Sequence, residues 1–350
     1  RTAMFETLGF ETLTAPQAAV WFALGLGVVF GALAQATRFC LRRALVGEDR
    51  RQAAGVWLIA LAVAVLGTQI SVVQGWIGFA DHRFMAAELP IAAILVGGVM
   101  FGAGMILTRG CVSRMTVLTG SGNLRALMVL VVFALTAHAT LKGVLAPLRT
   151  AIGSVGLSLE QAALPGNGLI WAGVIALAAL IAALRSGNRA GTLAMAALIG
   201  ALVPLGWVGT GLVLQDEFDP IAMESLSFTA PAADAIFFTV ASSAIPANFG
   251  AGLVGGVLIG AVVAALVLGR FRWQSFESPA QTGRYLAGAV LMGVGGVLAG
   301  GCTVGAGLSG IPTLSIAALL AIGAILAGGL VMDRLLRPAQ SLRPGMQPAE

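Results

Sequence analysis

The chain has 350 residues, 58% hydrophobic and 10% charged, with a formal net charge of +5. Soluble domains carry about 25% charged residues, so this composition excludes a water-exposed globular surface, and the mean hydropathy of +0.95 agrees. The basic residues form no stripe with interleaved aromatics, which excludes nucleic acid as a partner, and three scattered cysteines with two histidines offer no clustered metal-ligand set.

A membrane-spanning helix needs about 20 apolar residues. The apolar runs predict an all-α integral membrane protein of about nine spans. In chain order they are Pro16–Cys40, Ala53–Gln74, Leu89–Leu107, Leu124–Ala146, Gly168–Leu184, Thr192–Leu214, Phe249–Leu268, Leu286–Gly300 and Thr313–Met332. The first run is long enough to span, so it reads as a membrane helix and not as a leader to be removed. Ser154–Ala163 and Ala232–Ser243 are too short to span and read as re-entrant or interfacial helices. With 48 glycines and no three-residue period, the spans can pack closely in lipid.

Arginines follow the odd-numbered spans: Arg38, Arg42, Arg43, Arg50 and Arg51, then Arg109, Arg114 and Arg125, with Arg185, Arg189, Arg270, Arg272, Arg334, Arg337 and Arg343 later. The loop after the sixth span carries Asp216, Glu217, Asp219 and Glu224 instead. By the positive-inside rule, odd spans end in the cytoplasm, the N-terminus is outside and the C-terminus inside.

The chain repeats itself without a gap. Gly97-x-Val99-x-x-Gly102-x-Gly104-x-x-Leu107-x-x-Gly110-Cys111 matches Gly288-x-Val290-x-x-Gly293-x-Gly295-x-x-Leu298-x-x-Gly301-Cys302. Spans one to four then pair with six to nine, and the fifth is left as a connector that inverts the second half. This predicts one transporter domain over 1–335, with halves 15–150 and 190–335, a connector helix 166–189, and a Pro-rich cytoplasmic tail 336–350.

Thr108–Arg114 and Ala299–Gly307 interrupt their helices near mid-membrane. Irregular backbone at that depth is tolerated only inside protein or along a water-filled cavity. Helix ends aimed there favour an anion. A lone buried cysteine is usually a packing residue. The shared Gly-Cys at two broken helices turns Cys111 and Cys302 into functional candidates. Cys40 ends the first span among Arg38, Arg42 and Arg43, which lower a thiol's pKa; spacing alone leaves its role open. Arg109 and Arg114 flank Cys111 and serve membrane orientation or anion attraction. His138 is an intramembrane ionisable group or a histidine bonded between helices. Gln35, Gln69 and Asn248 suit bonds between helices, and Trp21, Trp57, Trp76, Trp171 and Trp207 suit interfacial belts or packing.

At these residues the sequence resembles the YeeE/YedE family of sulfur-transport membrane proteins. The resemblance rests on Gly31-Ala-Leu-Ala-Gln35-x-x-Arg38-Phe39-Cys40, Gly102-x-Gly104-x-x-x-x-Arg109-Gly110-Cys111 and Gly300-Gly301-Cys302-Thr303-x-Gly305. Leu205-Gly206-Trp207-x-x-Thr210-Gly211 and Asn248-Phe249-Gly250-x-Gly252 also fit, so that it covers about Ala18 to Leu335. It implies an hourglass-shaped permease of the bacterial inner membrane that takes up thiosulfate or a similar small sulfur-containing anion. It also implies that Cys40, Cys111 and Cys302 line the path, with Arg109, Gly110, Gly301 and Thr303 as supporting loop residues. A small cytosolic sulfur carrier of the TusA type is the implied partner, and neither enzyme activity, cofactor nor metal is expected. The alternatives are a membrane sulfurtransferase holding a cysteine persulfide, or a carrier of a selenium or other sulfur compound.

Overall fold

The computed structural model describes residues 13–341. Among these the chain is almost wholly helical. Helix α1 (Ala15–Thr37) is followed by the short α2 (Leu41–Val46) and by α3 (Arg50–Val73). Helix α4 (Ile91–Leu107) breaks and resumes as α5 (Val112–Gly120), then α6 (Leu124–Leu141) and the short α7 (Ala146–Gly153) follow. Next come α8 (Gly168–Leu184), α9 (Ala190–Val208) with a π-helical extension Gly209–Val213, α10 (Thr229–Ala241) and α11 (Phe249–Val267). Helix α12 (Pro279–Leu298), a π-helical segment Thr303–Gly310 and α13 (Ile316–Ser341) complete it. Eight helices, some counted across their breaks, have at least 18 residues and are apolar enough to cross a membrane. The expected fifth span, α8, has 17 residues, about 25 Å at 1.5 Å per residue.

One expectation needs correction. Ser154–Ala163 is no helix: the helix falls just before it, in α7, and Leu157–Ser158 pairs antiparallel with Glu88–Leu89. Gly153 and Gly156 end the helical run there, and the strand pairing supplies the backbone partners. α13 runs on to Ser341, into the segment read as the tail; residues 342–350 lie outside the described residues. The second short piece is helical as expected, as α10.

Packing relies on backbone approach. α1 lies along α11, α4 packs on both α12 and α13, α9 packs on α3, and α6 on α12. At the α4–α12 crossing a Cβ on Gly104 would come 2.5 Å from the Gly288 carbonyl oxygen, and one on Gly97 would come 2.7 Å from that of Gly295. Later residues of α4 meet earlier residues of α12, so the pair is antiparallel. The contact is also reciprocal in the repeat: Gly97 corresponds to Gly288, and Gly104 to Gly295. Without side chains between them, the two backbones gain dispersion contact that lipid does not supply.

The arginines expected on one side do gather on one face. Arg51 reaches the Arg185 carbonyl, Arg125 bonds Gln274 at 3.0 Å, and the Arg43 guanidinium binds Asp49 through two bonds. The opposite face carries the two-stranded pairing and the loops 74–90 and 214–228.

Candidate functional site

The site begins with a backbone device used three times. α1 ends at Arg38, which is left-handed with φ +54°, and two residues on Cys40 caps α2. α4 ends in Arg109 at φ +61°, and two residues on Cys111 caps α5. α12 ends in Gly300 at φ +74°, and two residues on Cys302 caps the π-helical segment. A left-handed residue stops the incoming helix, an extended cysteine reverses direction, and a new N-terminus starts at the thiol. Glycine takes that conformation freely; the two arginines take it at a conformational cost. The residues before the two repeated cysteines stand in tight surroundings, against a flexible side-chain end at Gly110 and against backbone at Gly301. A Cβ on Gly110 would meet Met115 Cε at 2.5 Å, and one on Gly301 would meet the Ala306 nitrogen at 2.9 Å.

All three thiols are free and buried, with Cys302 fully inaccessible, Cys111 2% and Cys40 7% exposed. Cys111 and Cys302 belong to one continuous apolar core. Cys111 lies within electrostatic reach of both Cys40 and Cys302. The Cys302 Sγ accepts the Gly305 N–H at 3.3 Å, with the backbone N–H groups of Val304 and Phe228 also directed at it. Such converging N–H groups make a concavity suited to negative charge. The Cys111 Sγ sits 3.1 Å from the Ser113 hydroxyl. Met105, Met115 and Met292 are buried, and the Thr108 hydroxyl lies 3.8 Å from the Met292 sulfur and within hydrogen-bond distance of both the Gly104 and Gly110 carbonyls, which share its one proton.

Above Cys302, on the face opposite the arginines, opens a cavity of about 660 Å³. Gly305 and Ser309 of the π-helical segment form part of its wall, so its floor adjoins the loop of Cys302. Ser309 donates to the Leu226 carbonyl at 2.6 Å, which ties that segment to the loop before α10. Phe30 packs between Phe39 and Phe228, at ring distances of 6.2 and 5.4 Å, and these buried rings fill the interior around the cysteine loops.

The cavity wall holds residues to which the sequence assigned no place in the site. Arg83 lies over the Phe84 ring at 5.1 Å and within electrostatic reach of both Glu224 and Cys302. His82 packs edge-on against Phe79 and Trp207, its Nδ1 accepts the Phe84 N–H at 3.3 Å, and burial with help from Arg83 pushes its pKa down to about 4. Burial, reinforced by Asp234 and opposed by Arg83, raises the pKa of Glu224. The Glu224 backbone is clamped by Thr210, whose hydroxyl donates to its carbonyl at 2.7 Å. On the arginine face a small void of about 40 Å³ touches Thr108, Arg109, Met115 and Tyr285.

The other expected residues fall as follows. Thr303 is buried as the first residue of the π-helical segment. Gln69 bonds across helices to the Pro312 carbonyl at 2.7 Å, but Asn248 caps its own helix through Ala251 N–H, and the Gln35 Oε1 is buried without a partner. His138 stacks on Phe237 at 3.8 Å. Trp57 and Trp207 are buried inside the protein with their indole N–H groups unpartnered, not in an interfacial belt. Among the described residues no group of three or more His, Cys, Asp or Glu is placed to hold a metal.

The chain matches the family model described as sulphur transport over residues 36–331. It is 27% identical over 334 residues to a protein of Spirochaeta thermophila named thiosulfate transporter TsuA, covering 85% of this chain and 93% of that one. It is 25% identical over 314 residues to the Escherichia coli K12 protein of the same name, covering 81% and 84%. A multi-pass helical membrane protein with free thiols at three helix breaks, matched by the family over most of its length, belongs to the sulphur-transport family.

Proposed function

We propose that this protein is a permease that admits thiosulfate, or a closely similar sulfur-bearing dianion, and passes it along Cys302, Cys111 and Cys40. The observation that carries the reading is the repeated geometry: each cysteine stands at a new helix N-terminus, and the middle one is within electrostatic reach of the other two. Helix N-termini and directed N–H groups attract the charge. The S–H groups are weak donors to a soft terminal sulfur. Weak serial contacts suit passage, since an ion must also leave. Arg109, Gly110, Gly301 and Thr303 shape the loops and do not themselves carry the anion.

In this reading the arginine face is cytoplasmic, with the N-terminus outside and the C-terminus inside, in a bacterial inner membrane. The 660 Å³ cavity is then the outer vestibule. The reciprocal Gly97–Gly295 and Gly104–Gly288 contacts support an inverted arrangement of halves 15–150 and 190–335 about the connector 166–189. The anion crosses unchanged, without enzymatic conversion, and a TusA-type carrier receives it on the inner face. Purified protein in liposomes tests the function: labelled thiosulfate enters, excess unlabelled thiosulfate competes, and absence of uptake under both inward and outward gradients rejects it.

A further inference from the structure

Arg114 stands on the first turns of α5, three residues beyond Cys111. Its Nη1 is buried and has no hydrogen-bond partner. Its strongest electrostatic coupling is to Cys40, followed by Arg43, Cys111 and Arg38. No carboxylate is among these partners, and Asp49 is engaged by Arg43 through two bonds. Arg114 is thus a guanidinium among like charges and two thiols, with a donor aimed into protein where nothing accepts it. An unpartnered buried donor costs stability, and on a cation it costs more. Membrane orientation does not require that cost, since an exposed arginine at the surface serves it equally.

We propose that Arg114, Cys40 and Cys111 form an inner holding site for one small sulfur-bearing dianion. The guanidinium supplies paired N–H donors and charge to the oxyanion end, and the two thiols face the soft sulfur. This deepens the transport reading and rests on it. The site lies beyond the Cys302 level from the outer cavity, so it takes the anion after that level and keeps it from slipping back. Arg114 is a binding residue here, distinct from the arginines that bond to carboxylate or backbone at the same face, such as Arg43 and Arg51.

The experiment compares wild-type protein with Arg114→Gln, Arg114→Lys and the exposed control Arg50→Gln. Two readouts are taken: thiosulfate uptake by liposomes, and melting temperature in detergent with and without thiosulfate. Arg114→Gln is expected to lose at least tenfold in initial uptake rate. Its anion-free melting temperature should match or exceed wild type, because the orphaned cation is gone. Thiosulfate should raise the melting temperature of wild type and not of Arg114→Gln. Arg114→Lys should fall between, and Arg50→Gln should behave as wild type. A purely structural Arg114 would instead lower the anion-free melting temperature in both variants, and that result overturns the proposal. So does wild-type uptake by a well-folded Arg114→Gln. If wild-type liposomes move no thiosulfate, the transport reading fails on its own arm, while the melting shift still decides whether Arg114 binds the anion.

Discussion

Gly97 and Gly295 meet backbone to backbone at the centre of the fold, and their repeat equivalents Gly288 and Gly104 meet in the same way one step along the crossing. The four glycines fix the separation of α4 and α12, and each of these helices runs into a cysteine loop. Spacing at this crossing therefore sets where Cys111 and Cys302 stand relative to each other.

Gly104→Val is accordingly expected to destabilise the protein and to reduce uptake together. Overpacking typically costs about 1–3 kcal/mol, and here the opposing atoms are backbone. Gly323→Ala, whose Cβ would meet open space, serves as the control. Thermal melting in detergent reads the difference; equal melting temperatures for the two variants would show that the crossing is not tight.

The His82 ring links stability to pH. Its folded pKa, about 4, lies below the ordinary value of 6.5, chiefly through burial. The unfolded chain therefore binds the proton more readily, so stability is full above about pH 6.5 and declines as pH falls toward 4. The shift corresponds to about 3 kcal/mol at most, reduced by the solvent that reaches a half-buried ring. Protonation at Nδ1 also removes the acceptor for the Phe84 N–H. His82→Asn keeps a capping acceptor without titrating. Its melting temperature should vary less between pH 7 and pH 4.5 than that of wild type.

Glu224 acts in the opposite sense. Its raised pKa means that the folded state holds the proton more tightly, so the ionised side chain weakens the fold as pH rises through that pKa. Glu224→Gln should raise the melting temperature at pH 7, with the gain shrinking as pH falls. A gain that grows on acidification would contradict the burial of this carboxylate.

Arg83 is the cation of the cavity within reach of Cys302. Arg83→Gln is expected to raise the apparent KM for thiosulfate about tenfold, about 1.4 kcal/mol, with the deficit smaller at high salt because screening weakens the wild-type attraction. Uptake kinetics at two ionic strengths check it; an unchanged KM removes Arg83 from anion capture.

Much of this was legible in the sequence because lipid imposes simple rules. Long apolar runs gave the helices, and the ungapped Gly–Cys repeat pointed to α4 and α12 as equivalent. The same repeat set Arg109 opposite Gly300, and both prove left-handed. What stayed hidden depends on tertiary proximity. No local pattern marks Arg83, Glu224 and Cys302 as neighbours, since three separate segments bring them together. Arg114 looked interchangeable with Arg109, and only its unpartnered Nη1 distinguishes it. Trp57 and Trp207 suited either a belt or packing, and burial selects packing for both. Ser154–Ala163 had the apolar content of a helix but is mostly loop, with only Leu157–Ser158 pairing as a strand.

Serial passage along thiols is tested most directly by liposome uptake with Cys40→Ala, Cys111→Ala and Cys302→Ala, each with wild-type melting behaviour. Each variant should lose nearly all thiosulfate uptake, and intact mass of wild type after transport should show no added sulfur. Full uptake by Cys111→Ala would contradict the account, because that thiol is the one within reach of both others.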